Sequence, residues 1–396
     1  MPDVIVVGGG IVGAACCYEL ALAGASVTLI ERDELAAGAS GRNNGLWVTP
    51  VDPELLPMAR ASIARYLEIA DEAPVPLRLD REPIGLLAVA VDGNELRLGD
   101  AAHEPYRASG VGVEFLDADA TRRLEPALAP DVLGGWLVDH GHRLAPAALT
   151  VSLALMAKTH GAEIRHHLPV RALTIGPDDR VTGAVTDEGR IGADDVVVAA
   201  GPWTPALLDP IGESLPIIGA RGWLVRLAPA RPPVGRLVAS AGWEVATGRL
   251  GEGRVQARGF RDPGVATATL LHPTTDGGLI AGSSRQPAIG PEAEDPGVPA
   301  RILDAAIRLV PGLADAEVRS AWWGVRPMTP DEHPLVGRLR PGLVVASGHG
   351  SEGVILGAGT GRLVASTILG SAPPFDPEPF GPRRDGLSNE RTTPKD

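Results

Sequence analysis

Residues 3–31 read DVIVVGGGIVGAACCYELALAGASVTLIE. Val4-Ile5-Val6-Val7 is an unbroken β-branched run, which predicts a strand buried on both faces of a parallel sheet. Gly8-x-Gly10-x-x-Gly13 follows at once, then a helical stretch from about Ile11 to Ala23 that Gly24 stops. A second strand, Val27–Ile30, ends in Glu31. Each part has a physical task. Gly8 permits a tight turn, Gly10 lets a pyrophosphate approach the backbone, and Gly13 lets the helix pack close to the strand. The helix N-terminus offers free N–H groups and a partial positive charge to phosphates. Glu31 suits a ribose diol and would repel a 2′-phosphate. The unit reads as Rossmann-type dinucleotide binding and does not separate FAD from NAD.

The chain has 396 residues. A single core rarely grows beyond ~250–300 residues, so two domains are expected. The net charge of −13 argues against nucleic acid and against an anionic membrane surface. Only Cys16 and Cys17 are present, adjacent and inside the first helix, so a disulfide framework and a Cys-x-x-Cys zinc site are excluded and no metal is expected. No signal-peptide pattern precedes the first strand, and no run approaches the ~18 apolar residues of a membrane helix. A cytoplasmic location is the simplest expectation.

Beyond the polar loop at 32–50, helical periodicity covers about Pro53–Ala70. From Ala145 the pattern is regular: a helix over Pro146–His160, strands at Glu163–His166, Val170–Ile175 and Val181–Thr186, and a buried strand at Asp195–Ala200. Residues 216–290 alternate short strands with turns, and a helix over 299–309 and a strand over Val318–Trp322 follow. Strand Leu343–Ala346 leads into GHGSEGVILGAGTGRL, residues 348–363, a second glycine-rich turn opening a helix that runs to about Leu369. The expected fold class is α/β: a Rossmann-type dinucleotide-binding domain with an interleaved α+β substrate domain on a mainly antiparallel sheet. The cofactor domain takes 1–75, 145–212 and 325–370, the substrate domain 76–144 and 213–324, and 371–396 reads as a flexible tail. Residues 228–268 read as a long link, a lid or a subunit contact.

These motifs together resemble the FAD-dependent D-amino-acid oxidase superfamily, nearest to glycine oxidase, D-amino-acid dehydrogenase and the opine or hydroxyproline dehydrogenase subunits. The resemblance rests on the first β-α-β unit, GASGRNNG, VVVAAGPW, GVRPMTPDEHPLVG and GHGSEGVILGAGTGRL, and runs to about residue 370. It implies FAD held by Gly8, Gly10, Gly13, Glu31 and Arg32 at the ADP half. Ser40, Gly41, Arg42 and Asn43 match the loop from pyrophosphate to flavin, Val170 an adenine-side backbone contact, and Gly201 and Trp203 the strand end beside the cofactor. Gly348, His349, Gly350, Gly353 and Val354 match the segment covering the isoalloxazine ring, where a helix N-terminus would favour the anionic reduced flavin.

The implied reaction is oxidation of the CH–NH bond of a small amino acid, imino acid or amine, by hydride transfer to flavin N5, with hydrolysis of the imine in water. Arg326 is the first candidate for the substrate carboxylate, since its fork matches a carboxylate bidentately. The alternative is a structural pair with Asp331 or Glu332. Arg221 is either structural or close to the cofactor, and His349 either catalytic or a shaper of the turn. The Arg–carboxylate clamp and Asn44 or the Leu46 backbone would set the approach of the substrate. No general base is nominated. Glu352 leaves two readings, a partner for a second amino or guanidino group on the substrate, or an acid complementing a helix N-terminus. The lack of a Cys or His in the 38–47 loop favours non-covalent FAD. Only Lys158 and Lys395 exist, which favours a dehydrogenase over an oxidase, with O2 or a quinone-type carrier as acceptor. Two alternatives stay open: a 2-hydroxy acid dehydrogenase, and a flavin-bearing subunit of a hetero-oligomer; a homo-oligomer is equally compatible.

Overall fold

In the computed structural model, which describes residues 3–228, 234–241, 266–287, 295–385 and 387, strand Asp3–Val7 lies inside a six-stranded sheet. The order is Leu335–Arg340, Leu343–Ser347, Asp195–Val198, Asp3–Val7, Ser26–Ile30, Glu163–Arg165. All pairings are parallel except the hairpin formed by the first two strands. Side-chain alternation along Asp3–Val7 feeds two cores. Val4 and Val6 join helices Ile11–Leu22, Leu56–Ile69, Pro146–Thr159 and Gly353–Leu369. Ile5 and Val7 join a three-stranded antiparallel sheet, Val170–Ile175, Val181–Thr186 and Gly189–Gly192. A strand covered on both faces tolerates no polar alternation, which is the reason for the continuous β-branched run.

Helix Gly353–Leu369 packs onto helices Ile11–Leu22 and Leu56–Ile69 at close range. A Cβ at Gly359 would lie 2.3 Å from the Met58 carbonyl oxygen, and one at Gly361 would lie 2.6 Å from that of Ala15. The short distance lets hydroxyls bridge the helices. Tyr66 Oη donates to Val354 O at 2.9 Å, and Ser62 Oγ accepts from Gly359 N at 2.8 Å. The GAGTG part of the second glycine-rich stretch therefore serves helix packing, while Gly348, Gly350 and Gly353 form its turn and helix start.

A second sheet has eight strands in the order Glu317–Met328, Ile218–Ala228, Leu279–Pro287, Ala266–Pro273, Leu237–Ser240, Leu86–Ala90, Gly134–Val138, Val113–Asp117. It is antiparallel except between Leu237–Ser240 and Leu86–Ala90. Helix Val298–Leu309 buries Ile302, Ala306 and Leu309 against one face of it. On the other face, Leu224 and Leu270 line the cavity described below. The expected α/β class with a mainly antiparallel second sheet is the class observed.

Two expectations change. The boundary set at 325 falls inside strand Glu317–Met328, whose pairing with Ile218–Ala228 continues to Met328, so Arg326 stands on the second sheet. The stretch 371–385 is docked rather than loose. Phe380 is 1% exposed, and Arg384 grips both oxygens of Asp331 at 2.8 Å. An aromatic anchor and a bidentate ion pair outweigh the local abundance of proline and charge. The link at 228–268 falls largely outside the described residues. Among the described residues no helix is long and apolar enough to cross a membrane.

Gly359→Ala is expected to lower stability by about 1–3 kcal/mol, the cost of overpacking a tight contact. Gly312→Ala, where an added Cβ meets nothing within 4 Å, is the matched control and stays close to wild type. Thermal unfolding of both variants checks this, and equal melting temperatures would refute the packing role.

Candidate functional site

Both glycine turns open into one cavity of ≈ 420 Å³ between the two sheets. At one end lie Gly8, Gly10, Glu31 and Val170, and at the other Gly350, Gly353, Val354 and Arg326. The helices Ile11–Leu22 and Gly353–Leu369 both begin on this cavity, so each presents its positive end to it.

The first turn is set by contact. A Cβ at Gly13 would lie 1.9 Å from Gly8 O, so only glycine allows the helix to start this close to the strand. Gly8 itself has φ 113° and donates to Ile30 O at 2.9 Å. Glu31 braces the turn: Oε2 accepts from Gly9 N at 2.6 Å and Oε1 from Asp33 N at 2.9 Å. Each carboxylate oxygen keeps a further lone pair for a ribose hydroxyl. Ser40 Oγ accepts from Ile11 N at 2.8 Å and so caps the first helix from the 38–47 loop. Asn43 is turned on its own loop, donating to Ser40 O at 2.8 Å and accepting from Gly45 N at 2.9 Å. Arg42 donates to Ala37 O at 2.9 Å, and Asn44 and Leu46 line the wall beside it. At the adenosine end Arg32 stacks on the Trp203 ring, 3.8 Å from its centroid, close to Gly201 and Val170 in the cavity lining.

His349 is 2% exposed, and its Nε2 lies 2.9 Å from Thr360 Oγ1. Thr360 directs its single proton within the helical layer, to Leu356 O at 3.0 Å or Met58 Sδ at 3.3 Å. Nε2 of His349 is therefore the donor. Burial pushes its pKa down to about 3, which keeps the ring neutral. His349 anchors the turn to the helix that follows. Gly348 and Gly350 hold the same turn at φ 78° and 53°.

Arg326 enters the cavity from strand Glu317–Met328 and donates through Nη1 to Ser284 O at 3.1 Å. A Cβ at Gly222, on the adjacent strand, would lie 2.0 Å from that Nη1. Gly222 thus makes room for the guanidinium. The acids weighed as structural partners of Arg326 hold other arginines: Asp331 pairs with Arg384, and Glu332 pairs with Arg285 at 2.8 Å. Arg221 is 5% exposed and stacks on Trp323, 4.6 Å from the ring centroid. Glu352 sits at the N-cap of helix Gly353–Leu369 and is not among the cavity-lining residues, whereas Ser351 is. Sequence reasoning missed Gly222, Arg285 and Gly9. An R-G pair facing an R-P strand end was a visible signal for Gly222, and an arginine in the strand SSRQP for Arg285.

The donor set fits FAD. Two helix starts would offer N–H groups and Glu31 a ribose acceptor, and one cavity connects them. Cys16 and Cys17 lie in the core of the helical layer with thiol pKa values raised by burial, away from the cavity lining.

Residues 3–367 match the family model described as FAD dependent oxidoreductase. The chain is 29% identical to a D-amino acid dehydrogenase of Cereibacter sphaeroides, covering 99% of this chain and 97% of that one. It is 28% identical to the bifunctional protein ThiO/ThiG of Synechocystis over 93% of its own length, and spans about half, 51%, of that protein. The crystal structure of glycine oxidase from Geobacillus kaustophilus superposes with a TM-score of 0.82 at 26% identity, covering 97% of this chain and 98% of that one. With the family model spanning both sheets and the whole cavity, the chain belongs to the FAD-dependent oxidoreductase family, and FAD is its cofactor.

Proposed function

We propose that this enzyme oxidises the CH–NH bond of a small amino or imino acid whose carboxylate is held by Arg326. The observation that carries this reading is a guanidinium placed in the cavity through a gap left by Gly222, with Asp331 and Glu332 committed to other arginines. The relatives named as D-amino acid dehydrogenase and glycine oxidase support the substrate class. When bound, FAD supplies the acceptor for a hydride leaving the carbon beside nitrogen, as the nitrogen lone pair closes a C=N bond.

The protein's part is placement. Arg326 fixes the carboxylate bidentately, and the fork sets which hydrogen of the substrate faces the cofactor. The start of helix Gly353–Leu369 would offer N–H groups to the negative charge of a reduced flavin. Leu46, Val48, Leu224 and Leu270 give this end an apolar wall that excludes water from the reacting carbon. The substrate amine reacts as the neutral base, and His349, already neutral, is not required to remove its proton. Water then adds to the released imine and yields a 2-oxo acid with ammonia or an amine. Lys158, exposed in the last turn of helix Pro146–Thr159, does not line the cavity, in keeping with a dehydrogenase.

Anaerobic mixing of the holoenzyme with a panel of amino and imino acids is expected to bleach the flavin and release ammonia or an amine. Bleaching by 2-hydroxy acids alone would overturn the proposal. Arg326→Gln is expected to reduce kcat/KM by about 100-fold, the value of one charged hydrogen-bonded pair near 3 kcal/mol, and Gly222→Ala to act in the same direction by displacing the guanidinium. Unchanged kinetics in both would remove Arg326 from the site. The reduction rate is expected to rise with pH as the bound amine loses its proton. His349 titrates at about 3 and adds no limb above pH 5, so His349→Asn leaves the position of that limb unaltered. A limb that moves in this variant would make His349 the titrating group.

A further inference from the structure

We propose that the substrate end of the cavity holds a second carboxylate subsite built on Arg285, so that the substrates are dicarboxylic amino or imino acids. This rests on the carboxylate clamp proposed for Arg326. The charges lining the cavity are unevenly placed. The lining acids, Glu31 and Asp33, belong to the ribose end, where Glu31 is bonded to backbone amides. The substrate end is lined by Arg42, Arg285 and Arg326 and by no carboxylate among the described residues. Arg42 is turned to the carbonyls of Ala37 and Trp323, at 2.9 and 3.4 Å.

Arg285 differs from Arg42. Its side chain is 12% exposed, and among the described residues it makes a single hydrogen bond, from Nη1 to Glu332 Oε1 at 2.8 Å. A guanidinium has five N–H donors in a planar fork, so Nε and Nη2 remain for a ligand. A second substrate carboxylate would meet them with charge-assisted hydrogen bonds. The two arginines also share one stretch of backbone: Arg326 Nη1 donates to the carbonyl of Ser284, the residue preceding Arg285. Ser283 and Ser284 line the same wall and flank the subsite with further polar groups. Glu332 is 35% exposed and neutralises one charge from the rim. Glu332 meets one edge of the Arg285 fork and leaves Nε and Nη2 for a carboxylate of the ligand. A second amino group on the substrate, the reading Glu352 had offered, would instead meet the positive fork of Arg285.

The test uses the FAD-loaded enzyme and unreactive probes, with binding read from perturbation of the flavin absorbance. Succinate and glutarate are compared with butyrate and valerate. At least one dicarboxylate is expected to bind about 10- to 100-fold tighter than its monocarboxylate counterpart, the size of one added charge-assisted interaction. Arg285→Gln is expected to collapse this ratio to about twofold. Glu332→Gln, which removes the competing carboxylate and serves if Arg285→Gln loses its flavin, is expected to raise the ratio. Equal binding of the two classes, a ratio that survives Arg285→Gln, or a ratio that falls in Glu332→Gln would each overturn the subsite while leaving the Arg326 clamp intact. Failure of every carboxylate to bind, or binding indifferent to Arg326→Gln, would overturn the clamp and the subsite together.

Discussion

The contact between the first helix, Ile11–Leu22, and the last long one, Gly353–Leu369, is the constraint on which the site depends. These helices come from opposite ends of the chain, yet Gly361 approaches Ala15 so closely that a methyl group would lie 2.6 Å from its carbonyl. Because both helices start at the same cavity, this contact points two positive helix ends into one space. One dinucleotide is long enough to use both. The second glycine-rich turn therefore has two tasks that its sequence runs together: a turn at Gly348 and Gly350, and a packing surface at Gly357, Gly359 and Gly361.

The second sheet supplies the chemistry that the first lacks. The cofactor end of the cavity is built from backbone amides and Glu31, groups suited to phosphate and ribose. Across from it, the strands Ile218–Ala228, Leu279–Pro287 and Glu317–Met328 lie side by side and bring Gly222, Arg285 and Arg326 together. Adjacent strands place a missing side chain beside a large one. The gap at Gly222 is filled by the Arg326 guanidinium, which is then held by the Ser284 carbonyl. The proposed substrate binding would thus come from lateral strand pairing, and cofactor binding from helix starts.

Legibility followed the same division. The turn at Gly8–Gly13, the acid at Glu31 and the helix after it could be read because each acts on its near neighbours in the chain. Arg326 could be named from a strand end before proline. Its neighbours could not, since Gly222 and Arg285 acquire meaning only from the pairing of three strands far apart in sequence. Of the two readings Glu352 left open, the position at a helix N-terminus is the one observed: the helix start at Gly353 puts Ser351 and Val354 on the cavity and leaves Glu352 off its lining. The stretch 371–385 has the composition of a loose tail but is held by Phe380 and by the pair Arg384–Asp331, partners its own composition does not announce.

The sequence by itself determined the α/β class and the dinucleotide turn, because these are written in local periodicity and in glycines acting over a few residues; the flavin superfamily was legible only as a resemblance of motifs spread along the chain. Tertiary structure alone decided which charges share the cavity. Ion pairs select partners by distance in space. Glu332 pairs with Arg285 and Asp331 with Arg384, an allocation that spacing along the chain does not reveal.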